Sequence, residues 1–376
     1  MSRIRVLVVD DSAFMRKIIT NLLTTSPDIE VIGRAKNGQE AIEKVTELRP
    51  DVVTMDLEMP VLDGLQALGY IMSECPTPVI MLSGAESAHA DVTITAFQYG
   101  AVDFILKPSG NISLDMSKIK DELIKKVKAA AYVEVHKLGF IEEKSIKDKG
   151  RRKIKAQEIV ELHESNMADE RNKKETIEPI KKPGIKKIII IGSSTGGPRA
   201  LQRVIPLLPS NLHAPVLIVQ HMPPGFTKSL AERLNAQSMI KVREAMEGDI
   251  LQSGTVYIAP GDFHMIVKQL RIDGELKEVI ALTKGEKVQG VRPSVDVLLN
   301  SITSIYGQNS LGVILTGMGS DGSDGIRNLK LAGGKVIAED ESTCVVYGMP
   351  RSVIEQKLAD YILPINRIAE SIAQIT

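Results

Sequence analysis

Two cysteines, Cys75 and Cys344, are all that the 376 residues contain, one in each half of the chain. That excludes a disulfide framework and leaves reduced thiols in a cytosolic protein as the expectation. Neither sign of charge is in excess, because 47 Lys and Arg balance 47 Asp and Glu. A whole-chain electrostatic bias towards nucleic acid is therefore missing, and no nucleic-acid partner is expected without a local basic patch. No apolar run approaches the roughly 18 residues a membrane helix needs, so no membrane insertion is expected. The first apolar stretch, Val6 to Val9, stops at Asp10 and is too short for a signal-peptide core. No internal repeat is visible. What is present is ordinary: 43% hydrophobic and 25% charged residues argue against a wholly disordered or collagenous chain. At about 150 residues per domain the length predicts two to three domains, and a cytoplasmic multidomain protein is the expectation.

The texture changes between about Ile141 and Gly184, where roughly half the residues are charged and few are large and apolar. Such a segment cannot bury enough surface to offset its ordering entropy, so 131–185 reads as a charged linker between 1–130 and 186–376. On the N-terminal side, apolar runs at Val6 to Val9, Ile29 to Ile32, Val52 to Met55, Val79 to Leu82 and Val102 to Ile105 alternate with helical patterns. That alternation predicts an α/β domain, five parallel strands with helices on both faces and ligands at the strands' carboxyl ends. On the C-terminal side, Ile188 to Ile191, Val216 to Val219 and Val313 to Leu315 are buried-strand runs, each followed by a turn and a helical pattern. Val256 to Ala259, Met265 to Leu270 and Val279 to Leu282 read as a smaller antiparallel group, with Asp273-Gly274 as a hairpin turn. The second half is thus expected to be a doubly wound, mainly parallel α/β sheet with a few antiparallel strands inserted.

Five polar groups fall at one edge of the first sheet. Asp10 and Asp11 follow the first strand, Asp56 the third, Ser83 the fourth and Lys107 the fifth. One Asp at a strand end is ordinarily a turn or helix-capping residue. Three carboxylates together repel one another unless a cation sits among them, and few, hard oxygen ligands suit Mg²⁺. A bound Mg²⁺ and Lys107 would also neutralise a phosphoryl group on one carboxylate. These residues, with Met55-Asp56-Leu57-Glu58-Met59-Pro60, Leu82-Ser83-Gly84 and Phe104 to Lys107-Pro108, resemble the flavodoxin-like receiver domain of bacterial two-component response regulators over about residues 3 to 130. The resemblance implies that a histidine kinase phosphorylates Asp56. It implies Mg²⁺ held by Asp11, Asp56 and the Glu58 carbonyl, with Asp10 acting through water. Ser83 and Lys107 would contact the phosphoryl group, and Phe104 would be the switching aromatic.

The second half carries Ile191-Gly192-Ser193-Ser194-Thr195-Gly196-Gly197-Pro198, a strand, a tight glycine turn and a helix start. A serine there can present its hydroxyl beside the amides of a helix N-terminus, which suit a developing oxyanion. A phosphate-binding P-loop fails, because Pro198 and Arg199 stand where Lys and Ser or Thr are needed. The second strand ends in Gln220-His221 and the third runs into Thr316-Gly317-Met318-Gly319-Ser320-Asp321. A hydroxyl, an imidazole and a carboxylate on three strand ends have the roles of a Ser-His-Asp triad. Spacing leaves alternatives open: Ser193 beside Ser194, His264 beside His221, and Asp324 beside Asp321. Cys344 lies in an apolar run and reads as buried and inert.

These stretches, with Tyr257-Ile258-Ala259-Pro260-Gly261-Asp262, Arg292-Pro293-Ser294-Val295-Asp296 and Gly348-Met349-Pro350, are similar to the catalytic domain of the chemotaxis protein-glutamate methylesterase (CheB) family over 186 to about 372. The resemblance implies Ser194 as nucleophile, His221 as general base and Asp321 as its orienting carboxylate. It departs from the usual pattern at Ser193 and Ser320. It further implies hydrolysis of glutamate methyl esters, and deamidation of glutamines, on chemoreceptor cytoplasmic domains, with no cofactor for the ester step. Backbone amides near Thr195 and Met318 are the candidate oxyanion donors. The unphosphorylated receiver is expected to pack over the catalytic edge. The competing expectation is a receiver-gated binding or adaptor protein with a vestigial hydrolase site.

Overall fold

The computed structural model describes residues 3–84, 87–107, 112–135 and 185–376. In the first half, strands β1 (Ile4–Val9), β2 (Ile29–Ala35), β3 (Val52–Asp56), β4 (Val79–Ser83) and β5 (Asp103–Leu106) alternate with helices α1 (Ala13–Thr24), α2 (Gly38–Leu48), α3 (Gly64–Glu74), α4 (Ser87–Gln98) and α5 (Ile112–Ala130). All five strands are parallel, in the order β2-β1-β3-β4-β5. The near-continuous Val, Ile and Leu runs follow from this, since helices cover both faces and neither side of a strand meets water. Short polar residues start the helices where the strands hand over. Ser12, Asn37 and Asp63 each accept a backbone N–H from the first turn of α1, α2 and α3. Of the linker expected at 131–185, residues 136–184 lie outside the described residues, and Val133 is buried in the core of the first half.

The second half runs β6 (Ile188–Ser193), α6 (Gly197–Val204), β7 (Val216–Gln220), α7 (Phe226–Gln237), β8 (Lys241–Glu244), β9 (Thr255–Ile258), β10 (His264–Ile272), β11 (Glu275–Thr283), α8 (Val295–Tyr306), β12 (Ser310–Ile314), α9 (Ser323–Leu331), β13 (Lys335–Glu339), α10 (Met349–Glu355), β14 (Tyr361–Leu363) and α11 (Ile365–Ile375). Seven of these strands make a parallel sheet in the order β14-β13-β12-β6-β7-β9-β8. Only β10 and β11 are antiparallel, closed by Asp273-Gly274 with both residues at positive φ, as a two-residue hairpin turn requires. The strand at Val256 to Ala259 is therefore corrected: it joins β7 in the parallel sheet instead of the antiparallel group. Its apolar run marked a strand but could not name its neighbour. Strands β8, β13 and β14 were not anticipated. Each is short, and β8 and β13 carry charge at their ends.

The order of the large sheet positions the site. Strands β12, β6 and β7 are neighbours, and the three expected triad residues follow their carboxyl ends. Both halves, Met1–Phe140 and Ile185–Thr376, belong to one compact unit. Among the described residues no helix is long and apolar enough to cross a membrane.

Candidate functional site

His221 and Asp321 meet at the strand ends, with Nε2 2.8 Å from Oδ2. Asp321 does not cap its own helix. It lies at the N-terminus of α8, where the Val295 and Asp296 amides donate to it at 2.7 and 3.3 Å and Ser294 Oγ donates at 2.7 Å. Burial alone would raise the Asp321 pKa, but the hydrogen bond and charge of His221, the Ser294 hydroxyl and the Val295 amide hold it below the ordinary carboxylate range. An ionised Asp321 fixes the ring with Nε2–H towards it and leaves Nδ1 to accept a proton. Asp296 lies behind it and is pushed up to about 6 by burial and by the neighbouring Asp321 charge. The role of Ser294 as a side-chain donor to Asp321 has no signal in the Arg292-Pro293-Ser294-Val295-Asp296 stretch itself.

Ser194 stands half-buried in the turn after β6, and its N–H donates to Thr316 O at 3.1 Å. Among the described residues its Oγ has no hydrogen-bond partner. Catalytic hydrogen bonds commonly tighten only once substrate is bound, so this geometry leaves Oγ available. Two peptide units beside it are clamped through their carbonyls. Ser194 O accepts from Gly197 N at 2.7 Å and Gln220 Nε2 at 3.0 Å, which aims the Thr195 N–H of the same planar peptide. Gly317 O accepts from Gly348 N at 3.1 Å and Met349 N at 2.8 Å, which aims the Met318 N–H. Among the described residues neither the Thr195 nor the Met318 amide donates elsewhere. A side chain at 317 would strike the nucleophile turn, since a Cβ there would lie 2.8 Å from the Ser194 Cβ.

The alternatives left open by spacing separate in space. Ser193 is fully buried and its Oγ donates to Gln220 Oε1 at 2.7 Å. The Nε2 of His264 lies 2.9 Å from Glu286 O, outside the triad. Asp324 is a surface partner of Arg327. Cys344 is buried, as expected.

In the first half, the carboxylates of Asp10, Asp11 and Asp56 place oxygens within 4.8 Å of one another. Lys107 Nζ lies 2.6 Å from Asp56 Oδ2 and 3.0 Å from Asp10 Oδ2, the latter at an ion-pair distance without hydrogen-bond alignment. Burial raises the Asp56 pKa, a shift that Lys107 opposes. Burial would depress Lys107, but Asp56 and Asp10 together hold it above its ordinary value. A hard divalent cation fits this donor set, because it would relieve the repulsion among three carboxylates. A cleft of about 540 Å³ opens beside them, lined in part by Asp11, Leu57, Glu58 and Met59. Ser83 Oγ is buried and accepts from Thr93 Oγ1 at 3.0 Å.

The two sites are joined through β5. Asp103 Oδ2 accepts from Thr195 Oγ1 at 2.5 Å, one residue from Ser194. Phe104 stacks on Phe226 at the start of α7, with ring centroids 4.7 Å apart and planes at 16°. From α4, Thr95 Oγ1 accepts from Arg233 Nη1 at 3.0 Å, and Gln98 Oε1 from Arg233 Nη2. The bond between Asp103 and Thr195 spans 92 residues and left no signal in the sequence.

Two family models match the chain: CheB methylesterase over 189–372 and response regulator receiver domain over 6–117. A curated relative from Methanosarcina mazei named protein-glutamate methylesterase/protein-glutamine glutaminase 2 is 45% identical over 99% of this chain and 96% of its own. One from Thermotoga maritima, named protein-glutamate methylesterase/protein-glutamine glutaminase, is 47% identical over 99% and 98%. A crystal structure of the Thermotoga maritima CheB methylesterase catalytic domain is 52% identical, covers 52% of this chain and all of its own, and has a TM-score of 0.49.

Proposed function

The chain belongs to the CheB methylesterase family, and from this premise we propose that it is a phosphorylation-activated protein-glutamate methylesterase and protein-glutamine glutaminase of chemotactic adaptation. In this reading the receiver occupies 1–130, the charged linker 131–185 and the catalytic domain 186–376. Ser194 is the nucleophile, His221 the general base and Asp321 its orienting carboxylate. The observation that supports the reading is the contact of His221 with an ionised, four-donor Asp321, with Ser194, His221 and Asp321 following three adjacent strand ends.

Ser194 Oγ attacks the side-chain carbonyl carbon of a receptor glutamate methyl ester while His221 Nδ1 takes its proton. The Thr195 and Met318 amides stabilise the oxyanion that forms. Collapse of this intermediate breaks the carbon–methoxy bond, and His221 gives the proton to the departing methoxide, which leaves as methanol. Water, deprotonated by the same imidazole, releases the glutamate carboxylate and restores the Ser194 hydroxyl. For a glutamine side chain the leaving group is ammonia. The ester step needs no cofactor. A vestigial site in an adaptor protein has no observation in its favour.

In the receiver, Asp56 accepts the phosphoryl group of the chemotaxis histidine kinase. Asp11, Asp56 and the Glu58 carbonyl would hold Mg²⁺, with Asp10 helping through water, and the ion would supply positive charge to offset that of the carboxylates and a phosphoryl group. Ser83 and Lys107 contact the phosphoryl oxygens. Lys107 and the two interface residues Asp103 and Phe104 lie on or just after β5. Redirecting Lys107 therefore acts on the strand that holds the receiver against Thr195 and Phe226. The docked receiver denies a bulky receptor helix access to Ser194. Mass spectrometry of chemoreceptors incubated with the phosphorylated chain tests this function. Methylated glutamates should lose their ester and the susceptible glutamines should become glutamates. Receptors unchanged in both respects would overturn it.

A further inference from the structure

Strand β13 ends with a carboxylate in the protein interior. Glu339 is 1% exposed and follows Val336, Ile337 and Ala338, all fully buried. Burial pushes its pKa up, against hydrogen bonds from Thr316 and Thr343 and the charge of Arg203. Thr316 N–H donates to Oε2 at 2.8 Å and Thr343 Oγ1 to Oε1 at 3.0 Å. Burying a carboxylate in this way costs folding energy, and the triad chemistry described above does not use it.

Its main partner is Thr316, the residue that also organises the nucleophile turn. Thr316 O accepts the Ser194 N–H at 3.1 Å. Thr316 Oγ1 accepts the Val346 N–H at 2.9 Å and donates to Thr195 O at 3.0 Å. The next residue, Gly317, donates its N–H to Val346 O at 3.0 Å, and its carbonyl belongs to the peptide that aims the Met318 amide. One backbone segment thus carries the contacts to the nucleophile turn and the second oxyanion donor. Val346, Gly348 and Met349 hold that segment from one loop, and Glu339 holds its Thr316 N–H from β13, the neighbour of β12 on the side away from β6.

We propose that Glu339 is a positioning residue for hydrolysis, anchoring Thr316 so that the Ser194–Thr195 turn and the Met318 amide keep their relative placement. This rests on the esterase reading above. What the role requires is an acceptor for the Thr316 N–H, not a negative charge. A glutamine can supply that acceptor while its amide faces Thr343. A methionine fills the same space and supplies none.

The test compares full-length Glu339→Gln and Glu339→Met with the wild type in the phosphorylated state, on methylated receptor membranes. Glu339→Met should lower kcat about 10- to 100-fold with KM within about twofold, as expected when donors are misplaced in the transition state alone. Glu339→Gln should rescue kcat to within about threefold of wild type. Hydrogen exchange at the Thr316 and Ser194 amides, which needs no substrate, should speed up at least about tenfold in the Met variant and stay near wild type in the Gln variant. Equal kcat and exchange in the wild type and the Met variant would overturn the proposal, as would equal losses in both variants or a change confined to KM. If the Met variant does not fold, isosteric Thr316→Val keeps the N–H bonded to Glu339 but cuts the hydroxyl link from the anchored residue to Thr195 O, and an unchanged kcat there would overturn the positioning relay. A wild-type chain without activity on receptor esters would refute the esterase reading instead, with the exchange rates still deciding whether Glu339 anchors the turn.

Discussion

Replacing Asp103 by alanine should switch the enzyme on without phosphorylation. Thr195 Oγ1 donates to the Asp103 carboxylate at 2.5 Å inside the contact between the two halves. A hydrogen bond to a charged acceptor contributes about 1.5–3 kcal/mol. Its loss should not unfold the receiver: of the other partners of Asp103, the Phe104 N–H and Lys126, the lysine keeps Glu122 at 2.9 Å and Phe104 O at 2.6 Å. Thr195 regains water when the halves separate, so the cost falls on the docked state alone. By the relation of about 1.4 kcal/mol per tenfold, the ratio of open to docked chains should rise about 10- to 150-fold. The rate cannot exceed that of fully opened protein, so the observed rise ends at the level of phosphorylated wild type. The assay is the initial rate of methanol release from receptor membranes without phosphodonor, with thermal unfolding and phosphodonor labelling as controls. A small methyl ester that slips past the receiver should respond less than the receptor does, since masking acts on access. A folded, phosphorylatable Asp103→Ala chain with a basal rate at or below wild type would refute the reasoning.

Ser194→Ala should lower receptor demethylation by on the order of 10⁴- to 10⁶-fold with the fold intact. Ser193→Ala should cost about 1–3 kcal/mol of stability by leaving the Gln220 amide oxygen unpaired, while most activity remains; the reverse pattern would reassign the nucleophile. Asp56→Asn should abolish labelling by a small phosphodonor, and labelling of wild type should require Mg²⁺. The same variant should melt higher than wild type at neutral pH. The folded-state pKa of Asp56 is raised, so its ionised form weakens the fold above that pKa, and the advantage of Asn should fade as pH falls towards 3.8. Melting curves from neutral to acid pH check the sign, and an advantage that grows on acidification would contradict it. Asp321→Asn should cost on the order of 10⁴ in kcat, because Asn leaves His221 in the wrong tautomer.

The strand-end polar residues were legible because sheet chemistry leaves so little choice about where ligands bind. In Asp10, Asp56 and Lys107, and in Ser194, His221 and Asp321, reactive side chains interrupt apolar runs at the strand ends where such sheets bind ligands. Choosing Ser194 over Ser193 was not legible from spacing, since both occupy the same turn; one hydroxyl is sealed against Gln220 and the other is not. Strands β8 and β14 were missed because four and three residues give too little alternation to separate strand from loop. The neighbour of β9 was misjudged because pairing is a tertiary fact. The Asp103–Thr195 bond and the Glu339–Thr316 anchor join distant segments, so no local pattern could announce them. A faint signal existed for Glu339, a charge closing an apolar strand run.

The most direct measurement is a single time course of methanol release from methylated receptor membranes by the full chain, with a small phosphodonor and Mg²⁺ added midway. The account predicts slow release at first and then a slope steeper by about five- to 150-fold, the range of a coupling of roughly 1–3 kcal/mol, with both phases missing in Ser194→Ala. Release that ignores the phosphodonor, or that persists in Ser194→Ala, would contradict it.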